Sequence, residues 1–493
     1  MKRLLALLLC ALVLVTAVGC GDNAGGTAQT TTAAAADGET TTAGEPSREN
    51  MPDNLPDDLD LEGATINILY FGNDDSNNYD AVGESSGDIV YDAVYNRNVK
   101  VEERLNVKLN WIKGSGDWDT HPADIQKAML AGVSDYDIIF EENSRAFQHS
   151  LEGYFYDLID APYLDIEQPW WYTNLMNEGS IDTTKRYFVT GSFSMTTLFG
   201  ASTVYFNKDM YTNIYGDYNE LYNLVLNGTW THDKLMEYCR GAYSDLNGDG
   251  TADANDQYGF RYGQWGVPNY LSMSTGLSYS TRDADGYPVM NLNTPDTVEW
   301  AEKLYKLLYR DNMSYEIKDE VSSTFEKGND LFFIYLLGSA NSLRNADFEY
   351  GVLPYPKLNE TLDYVSGAAT ANGEGAVIPL SAPIEKFEYD CAVLEALSAE
   401  AYRTVVPTWY ETALKIKYVA SDTDAQMIDL IYSKINSPFI MMADKAIGTG
   451  SIFTNAVYGA KSEGTYSSFY AKQESTLTSK WNKMIESYKA LGE

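Results

Sequence analysis

With 493 residues, 71 acidic against 35 basic side chains and a formal charge of −36, the chain repels nucleic acid and anionic headgroups. Neutral or cationic small solutes remain as partners. Its length exceeds what one hydrophobic core usually serves, which predicts two lobes or domains.

Taken in chain order, Lys2 and Arg3 precede an apolar run over residues 4–15 that ends in Ala17-Val18-Gly19 before Cys20. This is the layout of a secretory signal over residues 1–19, and the run is shorter than the roughly 20 apolar residues of a membrane span. The small residues before Cys20 are similar to a bacterial lipobox, with Ala17 where leucine is usual. The resemblance implies a lipid on Cys20 and a protein anchored at the extracellular face of the cell membrane. Residues 20–58 are mostly Gly, Ala, Thr and acidic residues, a composition that cannot offset the entropy of ordering and reads as a disordered linker.

The body then alternates. Residues 65–71 read as a strand with Ile66, Ile68 and Tyr70 on one face. Val90, Val94, Val101 and Leu105 fall at helical spacing, and Val107, Leu109 and Trp111 alternate again. A second helix over 123–131 stops at Gly132, and residues 136–140 form a short buried strand. Strand, helix, strand, helix, strand predicts a parallel sheet with helices on its faces, whose ligands sit at the carboxyl ends of the strands. Cys10 leaves with the signal, and Cys239 and Cys391 carry no spacing signature, so buried free thiols are expected, with pairing as the alternative.

The sharpest short motif spans residues 245–256. Asp245, Asn247, Asp249, Asp253 and Asp256 offer oxygens at loop positions one, three, five, nine and twelve, Gly250 is sixth, and the Thr251 carbonyl is seventh. This predicts a structural Ca²⁺ loop of the EF-hand kind, ending in Asp where Glu is usual. The alternative is an acidic surface turn without metal.

Several segments in order resemble the extracellular solute-binding proteins of ABC importers, in their large sugar-binding type. They are the lipobox and linker, Tyr136-Asp137-Ile138-Ile139-Phe140, Val204-Tyr205-Phe206 running into Asn207-Lys208-Asp209, Thr229-Trp230-Thr231-His232, and Gly351-Val352-Leu353-Pro354-Tyr355-Pro356. The resemblance implies an α/β, two-lobed periplasmic-binding-protein-like fold (type II) with crossing hinge strands near residues 200–206, 362–367 and 410–418. Lobe one would combine 59–199 with 368–409, and lobe two 200–367 with 410–493. It further implies a monomer that captures a carbohydrate, an oligosaccharide above all, in the interlobe cleft and delivers it to the transmembrane subunits of a permease.

The residues themselves agree with a sugar. Pyranose C–H faces pack on flat aromatic rings, and buried hydroxyls need polar partners. Trp171, Trp265 and Trp409 lie beside turn-rich or proline-marked segments and are candidate stacking platforms, with core packing as the alternative for each. Trp111 and Trp300 read as core. Asn143, Arg145, Asn341 and Asn372 are candidate polar contacts; surface solvation for Arg145 and turn chemistry for Asn372 are the alternatives. The three histidines, His121, His149 and His232, show no metal-binding spacing, and no G-x-S-x-G or phosphate loop occurs. Glu141 and Glu142 are adjacent, so on a strand they point to opposite faces. No enzyme activity is expected, and a secreted glycoside hydrolase or a surface adhesion or sensing lipoprotein are the rival readings.

Overall fold

The computed structural model describes residues 47–491 apart from 75, 84, 86, 133, 134, 264, 265, 319, 320, 369–372, 416–420, 451 and 461–463. Cys20, Trp265 and Asn372 therefore lie outside the described residues. The strands that position the site are β1 (Ala64–Tyr70), β2 (Val107–Lys113), β3 (Ile138–Glu142), β4 (Ser202–Asn207), β5 (Phe332–Leu336), β6 (Tyr350–Pro354), β7 (Ser366–Gly367), β8 (Glu374–Val377) and β9 (Ile435–Asn436). The helices used below are α1 (Ile89–Leu105), α2 (Thr120–Leu130), α3 (Asn143–Ser150), α4 (Met195–Phe199), α5 (Phe387–Glu400), α6 (Val406–Lys415), α7 (Asp422–Ser433) and α8 (Tyr466–Lys489).

The first sheet has the order β8-β3-β1-β2. β1 runs parallel to β2, with Ala64 opposite Val107 and Tyr70 opposite Lys113, and parallel to β3, with Ile68 opposite Ile138. Along β1, Ile66, Ile68 and Tyr70 enter one core while Leu69 enters the other. Side chains alternate across a strand, so both faces of this sheet are covered, as parallel pairing with helical crossovers requires. Asp88 caps α1 by accepting from the N–H groups of Val90 at 3.0 Å and Tyr91 at 3.2 Å. The sheet is mixed rather than wholly parallel: β8 returns from far along the chain and lies antiparallel to β3, with Glu374 opposite Glu142.

The second sheet, β6-β4-β5, is antiparallel. Trp230 is buried beside Phe332 of β5 and Trp300 is buried beside His232, and each indole N–H is satisfied, by the Pro354 carbonyl at 2.9 Å and by Ser272 Oγ at 3.0 Å. Trp300 is core as the sequence predicts.

Among the described residues, two passages of the chain between the sheets lie side by side. Ala201, just before β4, bridges to Ala368, and Ser202 Oγ donates to the Gly367 carbonyl at 2.7 Å. β7 pairs in parallel with β9. The segment expected to cross near 410–418 is different: it is helical through Lys415 as α6, and the strand that pairs with β7 comes later, as β9. The run Val406 to Lys415 carries apolar residues at helical spacing, and tertiary packing of that face decides its state over any strand propensity. Cys239 and Cys391 are buried and free. Among the described residues no helix is long and apolar enough to cross a membrane.

Residues 47–53 lie as a strap across the helices. The Arg48 guanidinium sits 4.8 Å from the Tyr402 ring, 5.6 Å from Tyr410 and 5.8 Å from Tyr432. Asp53 receives two bonds from Arg104 of α1, at 2.6 and 2.7 Å, and another from Arg403, while the Met51 carbonyl accepts from Arg403 Nε at 2.8 Å.

Candidate functional site at the carboxyl end of the first sheet

The ends of β1, β2 and β3 and the start of β8 meet on one edge, next to the crossing at Ala368. Here β3 runs without a loop into α3, so Asn143 sits at the strand end and is buried. Its N–H donates to the Gly373 carbonyl at 3.0 Å. Among the described residues its side-chain amide has no hydrogen-bond partner at either Oδ1 or Nδ2. The glycines make room for it: a Cβ at Gly373 would stand 2.9 Å from Nδ2 and one at Gly375 2.8 Å from Oδ1. An amide buried without partners costs free energy, about 1–3 kcal/mol, which a ligand supplying a donor and an acceptor would recover.

The neighbouring acids are each engaged. Glu142 accepts from Ser144 and lies 3.7 Å from Lys445 Nζ; burial raises its pKa against these contacts. Glu141 pairs with His149 Nδ1 at 3.0 Å. Burial pulls His149 down, yet the bond and charge of Glu141 outweigh it and hold the imidazole above its ordinary value. Glu374 Oε1 reaches across the strand ends to accept from Phe71 N at 3.3 Å. Below this layer, Asp80 is buried and accepts from the Thr196 N–H at 2.9 Å and from Ser194 Oγ at 3.2 Å, joining the segment after β1 to α4. Burial, opposed by these bonds and by Arg97, pushes its pKa up to about 7.

Of the residues singled out in the sequence, Asn143 and Arg145 stand together here, Arg145 half-buried with one nitrogen donating to Gln148 at 3.1 Å. Asn341 is half-buried on the 3-10 helix Leu337–Asn345 after β5, close to α4. Two expected platforms show no ring face in this structure. Trp171 is 4% exposed in the first core with its indole N–H on Glu395 at 3.0 Å, and Trp409 is 1% exposed, packed on Phe199 at 5.0 Å. Both rings are large apolar surfaces, and burying them whole contributes more than leaving a face in water.

The expectation for Trp111 as pure core holds only in part, since it is half-buried against Tyr70 and Phe140. An aromatic pair that sequence reasoning passed over lies at this same edge: Phe71 directly after β1 and Trp118 in the loop after β2. Its signal was present, since Trp118 follows the turn-rich run Gly114-Ser115-Gly116-Asp117, the kind of segment beside which the other candidate platforms lie.

The loop 245–256 stands apart from this site. Asp245 accepts from Gly248 N at 2.7 Å and Gly250 N at 2.8 Å, Asp249 from Thr251 N at 2.7 Å, and Asp253 from Asn255 N at 2.7 Å. Asp256 is buried and accepts from Leu246 N at 3.2 Å. The donor set is oxygen only, which suits a hard cation, but the side chains are turned to backbone amides. Among the described residues no group of three or more acidic, histidine or cysteine side chains is gathered to hold a metal.

No protein-family model matches the chain, and no curated protein matches it. Solved structures do. A binding protein associated with an ABC transporter from Bifidobacterium animalis subsp. lactis, in complex with β-1,6-galactobiose, is 15% identical over 85% of this chain and 98% of its own, with a TM-score of 0.54. The maltose/maltodextrin-binding domain of Bdellovibrio bacteriovorus, bound to maltotriose, is 13% identical over 86% of this chain and 100% of its own, with a TM-score of 0.52. An ABC substrate-binding protein from Listeria monocytogenes in complex with cycloalternan is 12% identical over 87% and 100%, with a TM-score of 0.51. With its two sheets and the strands passing between them, the chain has the two-lobed fold of these binding proteins.

Proposed function

We propose that the protein is the extracellular substrate-binding lipoprotein of an ABC importer, which captures an oligosaccharide between its lobes and hands it to the permease. The observation that carries this reading is the shared two-lobed fold over most of the chain, in structures that hold maltotriose, β-1,6-galactobiose and cycloalternan. The edge built around Asn143 supports it, because a buried amide with no partner among the described residues, beside a rim of engaged acids, suits a neutral polyhydroxyl ligand. A hydrolytic role is disfavoured: Glu141 and Glu142 are each held by a separate partner and do not face one bond.

The test is a thermal-shift screen of the mature protein against mono- and oligosaccharides, followed by calorimetry on the hits. A ligand that binds only the folded state raises the melting temperature, by about 2.7 kcal/mol of stability at a hundred times its Kd. An oligosaccharide is expected to do so and to be recovered intact. Stabilisation by none of the sugars, or cleavage of the bound one, rules the reading out. Intact mass of the membrane-associated form reads the proposed anchor at Cys20.

A further inference from the structure

Trp118 is 46% exposed, yet it stands on a rigid base. Its ring centroid lies 4.4 Å from that of Phe71, with the planes 42° apart. Phe71 is held edge-on by the buried His121, 5.3 Å away. Close backbone approach makes this possible. Gly72 follows β1, and Gly114 and Gly116 follow β2; a Cβ at Gly72 would collide with the Gly114 carbonyl oxygen, and one at Gly116 would stand 3.0 Å from the carbonyl oxygen of Gly72. Gly72 and Gly116 also take positive φ, 86° and 70°, which only glycine adopts without strain. Asp117 then fixes the turn into α2, accepting from the N–H groups of Asp119 at 3.2 Å and Thr120 at 2.7 Å. The result is an indole packed on Phe71 and nearly half exposed, at the strand ends where open α/β sheets bind ligands.

We infer that Trp118, backed by Phe71, forms a subsite that stacks the C–H face of one sugar ring of an oligosaccharide. The inference rests on the oligosaccharide reading and adds a named platform to it: Trp118 follows β2, but its ring packs on Phe71 at the end of β1, the strand beside β3.

The experiment is calorimetric titration of wild type, Trp118→Ala and Trp118→Phe with glucose, maltose, maltotriose and maltotetraose, and with β-1,6-galactobiose and its longer homologues, alongside melting curves. Trp118→Ala is expected to weaken the sugars that wild type binds roughly tenfold or more, as loss of an aromatic anchor does. The melting temperature stays as in wild type, and Trp118→Phe restores most of the loss. Equal affinity of Trp118→Ala and wild type for every sugar overturns the subsite while leaving the sugar reading standing. A variant that melts earlier and whose binding Trp118→Phe does not restore assigns Trp118 to packing and also overturns it. A wild-type protein that binds neither series overturns the sugar reading and the subsite together.

Discussion

Asp390 of α5 is buried, and among the described residues neither of its carboxylate oxygens has a hydrogen-bond partner. Burial, with Asp137 nearby, pushes its pKa up to about 8, and burial likewise lifts Asp80 and Glu395 to about 7. Unfolded carboxyls titrate near about 4. The folded state therefore keeps these protons to higher pH, and stability falls as pH rises from about 4 to about 8. Asp53 has the opposite sign: burial would raise it, but bonds from Arg104 and Arg403 outweigh that and lower its pKa. Its contribution is present above about pH 4 and is lost as the solution is acidified further. The melting temperature is expected to be highest near about pH 5 and to decline toward about pH 8. Asp390→Asn, which cannot ionise, flattens the upper part of that decline. A melting temperature that climbs across the window, or a variant with the wild-type slope, contradicts this account. Residue roles were only partly legible in the sequence for a related reason. Asn143 could be placed because a strand end is visible in the pattern, but which tryptophan keeps a free face depends on loops meeting through Gly72, Gly114 and Gly116, which no local window contains.

Among the elements, β1, α1, β2, α2 and β3 were readable because each buries one face or stripe at its own period. The partner β8 was not, since it pairs with β3 from more than 200 residues away and antiparallel to it, and nothing local encodes that return. The loop 245–256 was legible as a motif, and we propose that it binds calcium by exchanging its carboxylate-to-amide bonds for the ion. Asp245, Asp249, Asp253 and Asp256 belong to the one loop, and a cation would offset the repulsion that drawing their carboxylates together brings. Chelation should lower the melting temperature of wild type, and Asp249→Ala should abolish the difference between chelated and calcium-loaded protein. Metal-free protein that melts at the same temperature with and without calcium eliminates the ion.

For the whole molecule, the strap matters to where the folded body begins. The sequence reading put that start near residue 59, on composition, but Arg48 and Asp53 already engage α1, α7 and the helical run that carries Tyr402, Arg403 and Tyr410. Hydrogen bonds to charged groups contribute about 1.5–3 kcal/mol each when well formed. Arg104 and Arg403 return to solvent when Asp53 is cut away, so the expected loss for a chain starting at Leu59, relative to one starting at Ser47, is about 1–3 kcal/mol. Urea unfolding of the two chains measures it; equal midpoints and slopes would show the strap to be idle.

The same strap sets how the body answers a pull on its amino-terminal side. Force arriving at Ser47 meets Arg48 and then Asp53 before it reaches β1. Arg104 lies on α1 and Arg403 follows α5, so tension at Asp53 is shared between two elements. β1 sits between β3 and β2 inside the sheet, with a partner on either side, and cannot be unzipped one bond at a time from an open edge. The strand ends that carry Asn143, Phe71 and Trp118 lie beyond that clamp, so the proposed solute site is shielded from tension on the leading segment.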